Sequence, residues 1–308
     1  MKHVEISFIT INYNSSQHTI ELVNSILLKT IDVSYEIIVI DNASELKDFL
    51  ILREFLKDIE KVKLVRNSIN AGFSAGNMLG VNYAGGQYYF FINNDCKLLN
   101  NTAGILKKFL ELNKEVALAT AQILDANNNY SSSYKQFPHL LKQLFGNSAQ
   151  RKFSKNKFPS NKIRVVEPTQ VEVVSGSCMF FRSDVFCDIG GFDTVFFLYC
   201  EEEDIAKRVW DTNRKVFFVP EAQIYHEAGG STEQGFVMQR EFYISYYHLL
   251  NKHYNRASRL LLKSALFSKL FFRMFKKKMG MKVFLSMLGG FSEKNSLRYY
   301  QKVKKNNE

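Results

Sequence analysis

Asp95 closes the run Phe90-Phe91-Ile92-Asn93-Asn94-Asp95, an apolar stretch with a polar end. A carboxylate at the end of a buried strand is costly unless it is solvated, paired or bound to metal. A hard divalent cation with oxygen ligands, bridging to a diphosphate, is its natural partner. Judged alone, an aspartate capping the next turn is the plainer reading. Asp41 ends a second run, Glu36-Ile37-Ile38-Val39-Ile40-Asp41. There a carboxylate can accept from the N–H of a nucleobase, and Tyr13 offers a ring to stack on it; an Asx-turn and a packed loop aromatic are the plainer alternatives. Asn70-Ala71-Gly72-Phe73-Ser74-Ala75-Gly76-Asn77 opens a predicted helix, where glycines let backbone N–H groups approach an anion. Its spacing is that of neither a Walker loop nor Gly-x-Gly-x-x-Gly. Glu201-Glu202-Glu203-Asp204 opens another helix. Acids in a first turn complement the helix dipole, yet four in succession repel one another and raise the proton affinity of at least one. A carboxylate so placed in a cleft suits a general base. His226, after the strand-like Ala222 to Tyr225, completes a mixed oxygen and nitrogen metal site if it meets Asp95 in space. A lone histidine is more often structural.

These residues need a frame to hold them. Val4 to Ile11, Glu36 to Asp41, Val62 to Val65 and Tyr88 to Ile92 pattern as strands, with Gln17 to Lys29, Glu45 to Ile59 and Ser74 to Ala84 as helices between them. That alternation predicts an α/β fold with right-handed crossovers and a mostly parallel sheet covered on both faces. Ligands of such sheets sit beyond the carboxyl ends of the strands. Asn12-Tyr13-Asn14, Asp41-Asn42, Asn67 and Asn93-Asn94-Asp95 all fall there. From about Asn127 to Glu167 the chain is polar and basic and reads as loops and short helices. Val171 to Phe181 is expected as one strand through Gly176, Lys215 to Val219 as a strand ending at Pro220, and the chain past Gln234 as wholly helical.

Composition narrows the class. Of 308 residues 46% are hydrophobic, and 27 Phe with 15 Tyr exclude disorder for the bulk. A mean hydropathy of −0.18 argues against a membrane-spanning chain. The first residues, Met1 to Asn14, lack the apolar stretch and cleavage site of a signal peptide. The four cysteines form no Cys-x-x-Cys pair, so a reduced, cytoplasmic chain is expected. The net charge of +11 is uneven: Arg240 to Glu308 holds 16 Lys and Arg against 3 Asp and Glu, while the rest is near neutral. Such a tail seeks anionic surfaces; a solvated helical face is the usual alternative.

In this order and spacing the segments resemble the inverting family 2 glycosyltransferases of the GT-A fold, nearest the rhamnosyltransferase-like enzymes of bacterial surface polysaccharide assembly. The matching words are Ile11-Asn12-Tyr13-Asn14, Val39-Ile40-Asp41-Asn42-Ala43-Ser44, Asn70-Ala71-Gly72-Phe73 with Gly76-Asn77, and Asn93-Asn94-Asp95. Val174-Ser175-Gly176, Gly190-Gly191-Phe192-Asp193, Phe196 to Asp204, and Pro220-Glu221 with His226 follow. The likeness runs from about Ser7 to Ser231. It implies that Asn12, Tyr13, Asn14, Asp41, Asn70, Gly72, Phe73, Asn77, Asn93 and Asn94 surround a nucleotide, with Asp41 on the base and Tyr13 against it. It implies Mn²⁺ or Mg²⁺ held by Asp95 and His226, with Asn93 in place of the first carboxylate of the family's Asp-x-Asp. Glu202 stands where the catalytic base is usually Asp; Glu201 and Asp204 are the fallback candidates. The implied reaction is an inverting transfer of rhamnose or another hexose from a dTDP- or UDP-sugar to a hydroxyl of a glycan or lipid-linked acceptor.

The implied layout is a catalytic domain over 1–239, with 127–167 as an acceptor-side segment, and a basic helical extension over 240–308. In the extension, Ala257 to Phe275 is amphipathic: Leu260, Phe267, Phe271 and Phe275 share one side, and Arg259, Lys263, Lys269 and Arg273 the other. Lys276-Lys277-Lys278 follow, while Leu262 and Leu266 interrupt the polar face. The 257–278 stretch is therefore expected to lie on an anionic membrane surface at the inner face of the cell membrane, with docking on its own domain or a second subunit as the alternative. A homo-oligomer stays open, and no nucleic acid partner is expected. A sugar nucleotidyltransferase would carry a Gly-rich basic loop after the first strand, where this chain has Asn12-Tyr13-Asn14-Ser15-Ser16. A non-catalytic carbohydrate- or nucleic-acid-binding protein would not need Asp41, Asp95, Glu202 and His226 together.

Overall fold

The structure, a computed structural model, describes residues 4–140, 165–227, 235–275 and 278–304. Most of the 127–167 segment, Ser231 and Lys276-Lys277 lie outside the described residues. The first part alternates as expected: β1 (Ile6–Asn12), α1 (Ser16–Lys29), β2 (Tyr35–Asp41), α2 (Leu46–Leu56), β3 (Val62–Arg66), α3 (Gly72–Val81) and β4 (Tyr88–Ile92). Successive strand side chains point to opposite faces, so each strand feeds two cores. Ile6, Phe8, Ile37, Val39 and Phe90 pack with Leu22, Ile26 and Leu52 of the helices on one side. Ile9, Ile38, Ile40 and Phe91 pack with Phe186, Ile205 and Val209 on the other.

Three elements that the sequence pattern did not isolate come next: β5 (Cys96–Leu98), α4 (Thr102–Leu112) and β6 (Val116–Leu124). Then follow β7 (Tyr134–Lys135), β8 (Thr169–Gln170), β9 (Val173–Val174), β10 (Cys178–Arg182), α5 (Ser183–Asp188), α6 (Glu201–Asp211) and β11 (Lys215–His226). The main sheet has the order β3-β2-β1-β4-β10-β6-β11-β5, with β8 also on β11. Its β3-β2-β1-β4 half is parallel. Beyond it the sheet is mixed, because β10 runs antiparallel between β4 and β6, and β5 antiparallel to β11.

Two expectations are corrected. Val171 to Phe181 is not one strand: β9 pairs with β7 in a separate ribbon, and β10 joins the main sheet. Between them the Cys178 N–H closes a turn onto the Ser175 carbonyl, which redirects the chain. Pro220 does not end β11 either. The strand breaks register between Val219 and Gln223, where a residue without an N–H is tolerated, and pairing resumes to His226.

The tail is helical through α7 (Phe236–His253), α8 (Arg256–Met274) and α9 (Lys278–Leu288), followed by two short 3-10 turns. Because α7 begins at Phe236, a division between 239 and 240 would cut a helix. The tail also shares a core with the segment before α6: Phe196 and Cys200 pack with Tyr243, Leu249, Leu250, Leu262 and Leu270. The Ser245 hydroxyl donates to the Leu198 carbonyl at 2.8 Å. Buried Glu241 accepts from the Ser296 hydroxyl at 2.8 Å and the Leu297 N–H at 2.7 Å. The acidic turn is thus backed directly by tail helices.

Candidate active site

Antiparallel pairing of β5 with β11 sets His226 opposite Cys96. That register brings His226 Nε2 to 3.2 Å from Asp95 Oδ1. Asp95 is buried, and its Oδ1 has no hydrogen-bond partner, since the imidazole approaches outside hydrogen-bond geometry. An orphaned, buried carboxylate oxygen beside an imidazole nitrogen suits a divalent cation, which would satisfy both. Cys96 Sγ lies within 4.8 Å of both donor atoms. Burial, then the Asp95 charge, push its thiol well above the ordinary range, so it stays neutral. A neutral thiol is a poor ligand for a hard ion, and this one points its S–H to the Ser177 carbonyl at 3.6 Å.

The polar strand ends form a second network. Asn12 is fully buried; its amide donates to Asp41 Oδ1 at 3.0 Å, Ser44 Oγ at 3.1 Å and Asp48 Oδ2 at 2.9 Å, and its carbonyl accepts from Thr19. Asp41 is also without exposure: its other oxygen accepts from the Ser44 N–H and sits 3.7 Å from Arg66 Nε. Asp41, expected to meet a nucleobase, is thus buried among Asn12, Ser44 and Arg66, whose guanidinium covers the Phe49 ring at 4.3 Å. Tyr13, by contrast, is 46% exposed at the opening, as stacking requires. Asn14 beside it is exposed and ties the Glu45 N–H.

The loop before α3 departs from its expected use. The N–H groups of Ala71, Gly72 and Phe73 are taken by Asn42, Asn70 and the Phe197 carbonyl, so they do not cradle an anion. Gly72 instead permits close approach. Its φ is +80°, and a Cβ there would lie 2.2 Å from the Phe197 oxygen. Asn77 returns a bond to the Phe73 carbonyl. Asn94 bonds Ser15 and Thr19 and so braces α1, which leaves the half-buried Asn93 side chain nearer the cleft.

The acidic turn follows Tyr199 and Cys200, both in left-handed backbone (φ +74° and +66°), a conformation that non-glycine residues hold only under constraint. Glu201 and Glu203 are buried, and Glu202 nearly so. Burial, then the Glu202 charge, push Glu201 well above the ordinary carboxylate range. Burial also raises Glu203, against the opposing pull of Lys135. Glu202 faces the turn between β9 and β10: a Cβ on Gly176 would lie 3.6 Å from its carboxyl carbon. The same turn accepts the Asn93 N–H at the Ser177 carbonyl, so one loop touches both the acidic turn and the Asp95 end of β4. Asp204 is committed elsewhere. Arg208 reaches its Oδ2 at 2.6 and 3.0 Å, and His253 and Lys252 both lie 2.7 Å from its Oδ1. Lys135, Arg66, Lys252 and His253 were not singled out in the sequence, where single cations carry no pattern.

The sequence model described as Glycosyl transferase family 2 matches residues 7–190, more than half of the chain. The chain belongs to glycosyl transferase family 2. A second model, Glycosyl transferase family group 2, matches residues 104–296 and so reaches into the tail. Rhamnosyltransferase WbbL of Escherichia coli (strain K12) is 27% identical over 206 residues, 64% of this chain and 74% of that protein. N-acetylglucosaminyl-diphospho-decaprenol L-rhamnosyltransferase of Mycobacterium tuberculosis (strain CDC 1551 / Oshkosh) is 35% identical over 69 residues, 22% of either chain. Among solved structures, GalNAc-T7 with UDP, GalNAc and Mn²⁺ superposes with TM-score 0.60 at 18% identity, over 81% of this chain and 48% of that one. S. aureus TarS 1-349 in complex with UDP superposes with TM-score 0.52 at 14% identity, over 85% and 71%. The fold is that of the GT-A glycosyltransferases, and the two rival readings of the sequence are set aside.

Within this family 2 glycosyltransferase, Asp204 ties α6 to α7. Burial alone would raise its pKa, but His253, Lys252 and Arg208 outweigh that and hold it at about 2. A folded-state pKa below that of a free aspartate stabilises the fold at pH above the free value and loses that stabilisation as pH falls toward the folded one. Asp204→Asn should therefore cost about 3–5 kcal/mol at pH 7. In denaturant titrations the difference from wild type should shrink progressively between about pH 4 and pH 2.

Proposed function

We propose that this glycosyltransferase moves rhamnose or another hexose, with inversion, from a dTDP- or UDP-sugar to a hydroxyl of a glycan or lipid-linked acceptor in surface polysaccharide synthesis. The observation that carries this reading is the unpartnered Asp95 Oδ1 beside His226, joined through one loop to Glu202. The two rhamnosyltransferase relatives support the sugar and acceptor class, and the UDP and Mn²⁺ of the fold relatives support the donor and cofactor class. Tyr13 stacks on the nucleobase over a floor set by Asn12, Asp41 and Arg66. Asp95 and His226 hold Mn²⁺ or Mg²⁺, which when bound offsets the charge building on the leaving diphosphate. Glu202 takes the acceptor hydroxyl proton as that oxygen attacks the anomeric carbon. Glu201, deeper and disposed to protonation, is the second candidate base; Asp204 is an anchor.

The tail supports attachment to an anionic membrane surface from the cytoplasmic side. No helix of the described residues is long and apolar enough to cross a membrane. Leu262, Leu266 and Leu270 turn α8 inward onto the protein. This leaves Leu260, Phe271, Phe272 and Phe275 of α8 and Leu285 of α9 exposed on a strongly basic segment. That is the composition of a helix pair resting in a lipid interface.

Glu202→Gln should leave donor binding nearly intact and lower turnover by about 10²-fold or more; near-normal product formation would reject the base assignment. A chelator should abolish transfer, Mn²⁺ should restore it, and Asp95→Asn should weaken Mn²⁺ binding by calorimetry. Phe272→Glu/Phe275→Glu should lose co-sedimentation with anionic liposomes while keeping the wild-type unfolding midpoint, since both rings are about two-thirds exposed.

A further inference from the structure

Lys135 has no role in the proposed reaction, yet among the described residues it is the cation paired with both Glu202 and Glu203. Its Nζ lies 2.7 Å from Glu202 Oε1 and 2.6 Å from Glu203 Oε1. Adjacent residues of a helix project about 100° apart, so neighbouring carboxylates do not converge on one point unless something draws them together. The ribbon of β7 and β9 does this. Lys135 pairs with Val173, and the strand then leads through Ser175 to Gly176, whose face lies against the Glu202 carboxyl. One stretch of chain thus supplies a wall against the Glu202 carboxyl, and its partner strand an ammonium on Oε1. Lys135 holds Oε1 of both Glu202 and Glu203, while Oε2 of each is buried without a hydrogen-bond partner; of the two, Glu202 is the one whose carboxyl faces Gly176.

We propose that Lys135 is the positioning residue of the catalytic carboxylate, holding Glu202 by Oε1 so that Oε2 is left to receive the proton of an acceptor hydroxyl. The inference rests on the assignment of Glu202 as base. The groups that face Glu202 are Glu201 and Glu203 on its own helix, Tyr199 and Cys200 before it, and Lys135 from the ribbon. Tyr254 and Glu172 stand behind Glu203. Lys135 is the cation of that set. Burial works to lower its pKa, but Glu202 and Glu203 outweigh burial and keep it protonated. Without the ammonium, the neighbouring carboxylates would repel one another and the base would be misdirected.

A purely charge-balancing lysine predicts otherwise, because removing one carboxylate with it should then repair the site. The experiment compares wild type, Glu202→Gln, Lys135→Arg, Lys135→Met and Lys135→Met/Glu203→Gln. Each is assayed for sugar release from dTDP-rhamnose and from UDP-N-acetylglucosamine with Mn²⁺, with the unfolding midpoint measured alongside. The double variant should fold like wild type with donor KM within about twofold and lose about tenfold or more in kcat. Lys135→Arg should keep most of the turnover. Wild-type kcat in the double variant overturns the proposal while leaving the base assignment standing. Undiminished turnover by Glu202→Gln overturns both.

Discussion

Taking a carboxylate out of water costs several kcal/mol unless an opposite charge or a full set of donors meets it. This chain does so repeatedly along one edge of its sheet, and each instance is compensated differently. Asp41 has Asn12, the Ser44 N–H and Arg66. Asp204 has Arg208, Lys252 and His253. Glu202 and Glu203 share Lys135. Asp95 alone keeps an oxygen that His226 approaches without bonding. The pattern separates the scaffold from the chemistry. Asp41 and Asp204 have full partner sets, whereas Asp95, Glu201, Glu202 and Glu203 each keep a buried oxygen without a hydrogen-bond partner.

The same accounting explains why the tail belongs with the catalytic half. Lys252 and His253 near the end of α7 help neutralise Asp204 on α6, and Ser245 of α7 holds the Leu198 carbonyl. Phe197, one residue earlier, accepts the Phe73 N–H at the start of α3. A chain of contacts therefore runs from the tail through the segment before α6 to the nucleotide side of the sheet. The left-handed pair Tyr199 and Cys200 lies in the middle of it, and strain there is sustained because packing on both sides over-determines the turn. Leu262 and Leu270 of α8 and the Phe196 and Cys200 that precede the acidic turn share one small core.

Local pattern was enough for much of this. The β-α-β alternation, the polar residues at the carboxyl ends of β1, β2 and β4, the acidic helix start and the amphipathic α8 were all legible, because each reflects which residues along a short stretch meet water. The stop at Pro220 and the single strand through Gly176 were misjudged, since local rules cannot tell a bulge from an end or which sheet a strand will join. The elements β5 to β6 went unread, and β5 spans just Cys96–Leu98, too short to show a period.

What the sequence determined by itself was the set of residue types and the order of elements that carry them, for those are consequences of burial along neighbouring positions. What the tertiary structure decided was who meets whom. The approach of His226 to Asp95 depends on the register of β5 against β11. The clamp of Lys135 on Glu202 depends on a ribbon of two-residue strands. The burial of Asp41 depends on Asn12, Ser44 and Arg66 closing over it. Register and long-range pairing are settled by the whole fold's packing, and no periodicity in a single stretch encodes them.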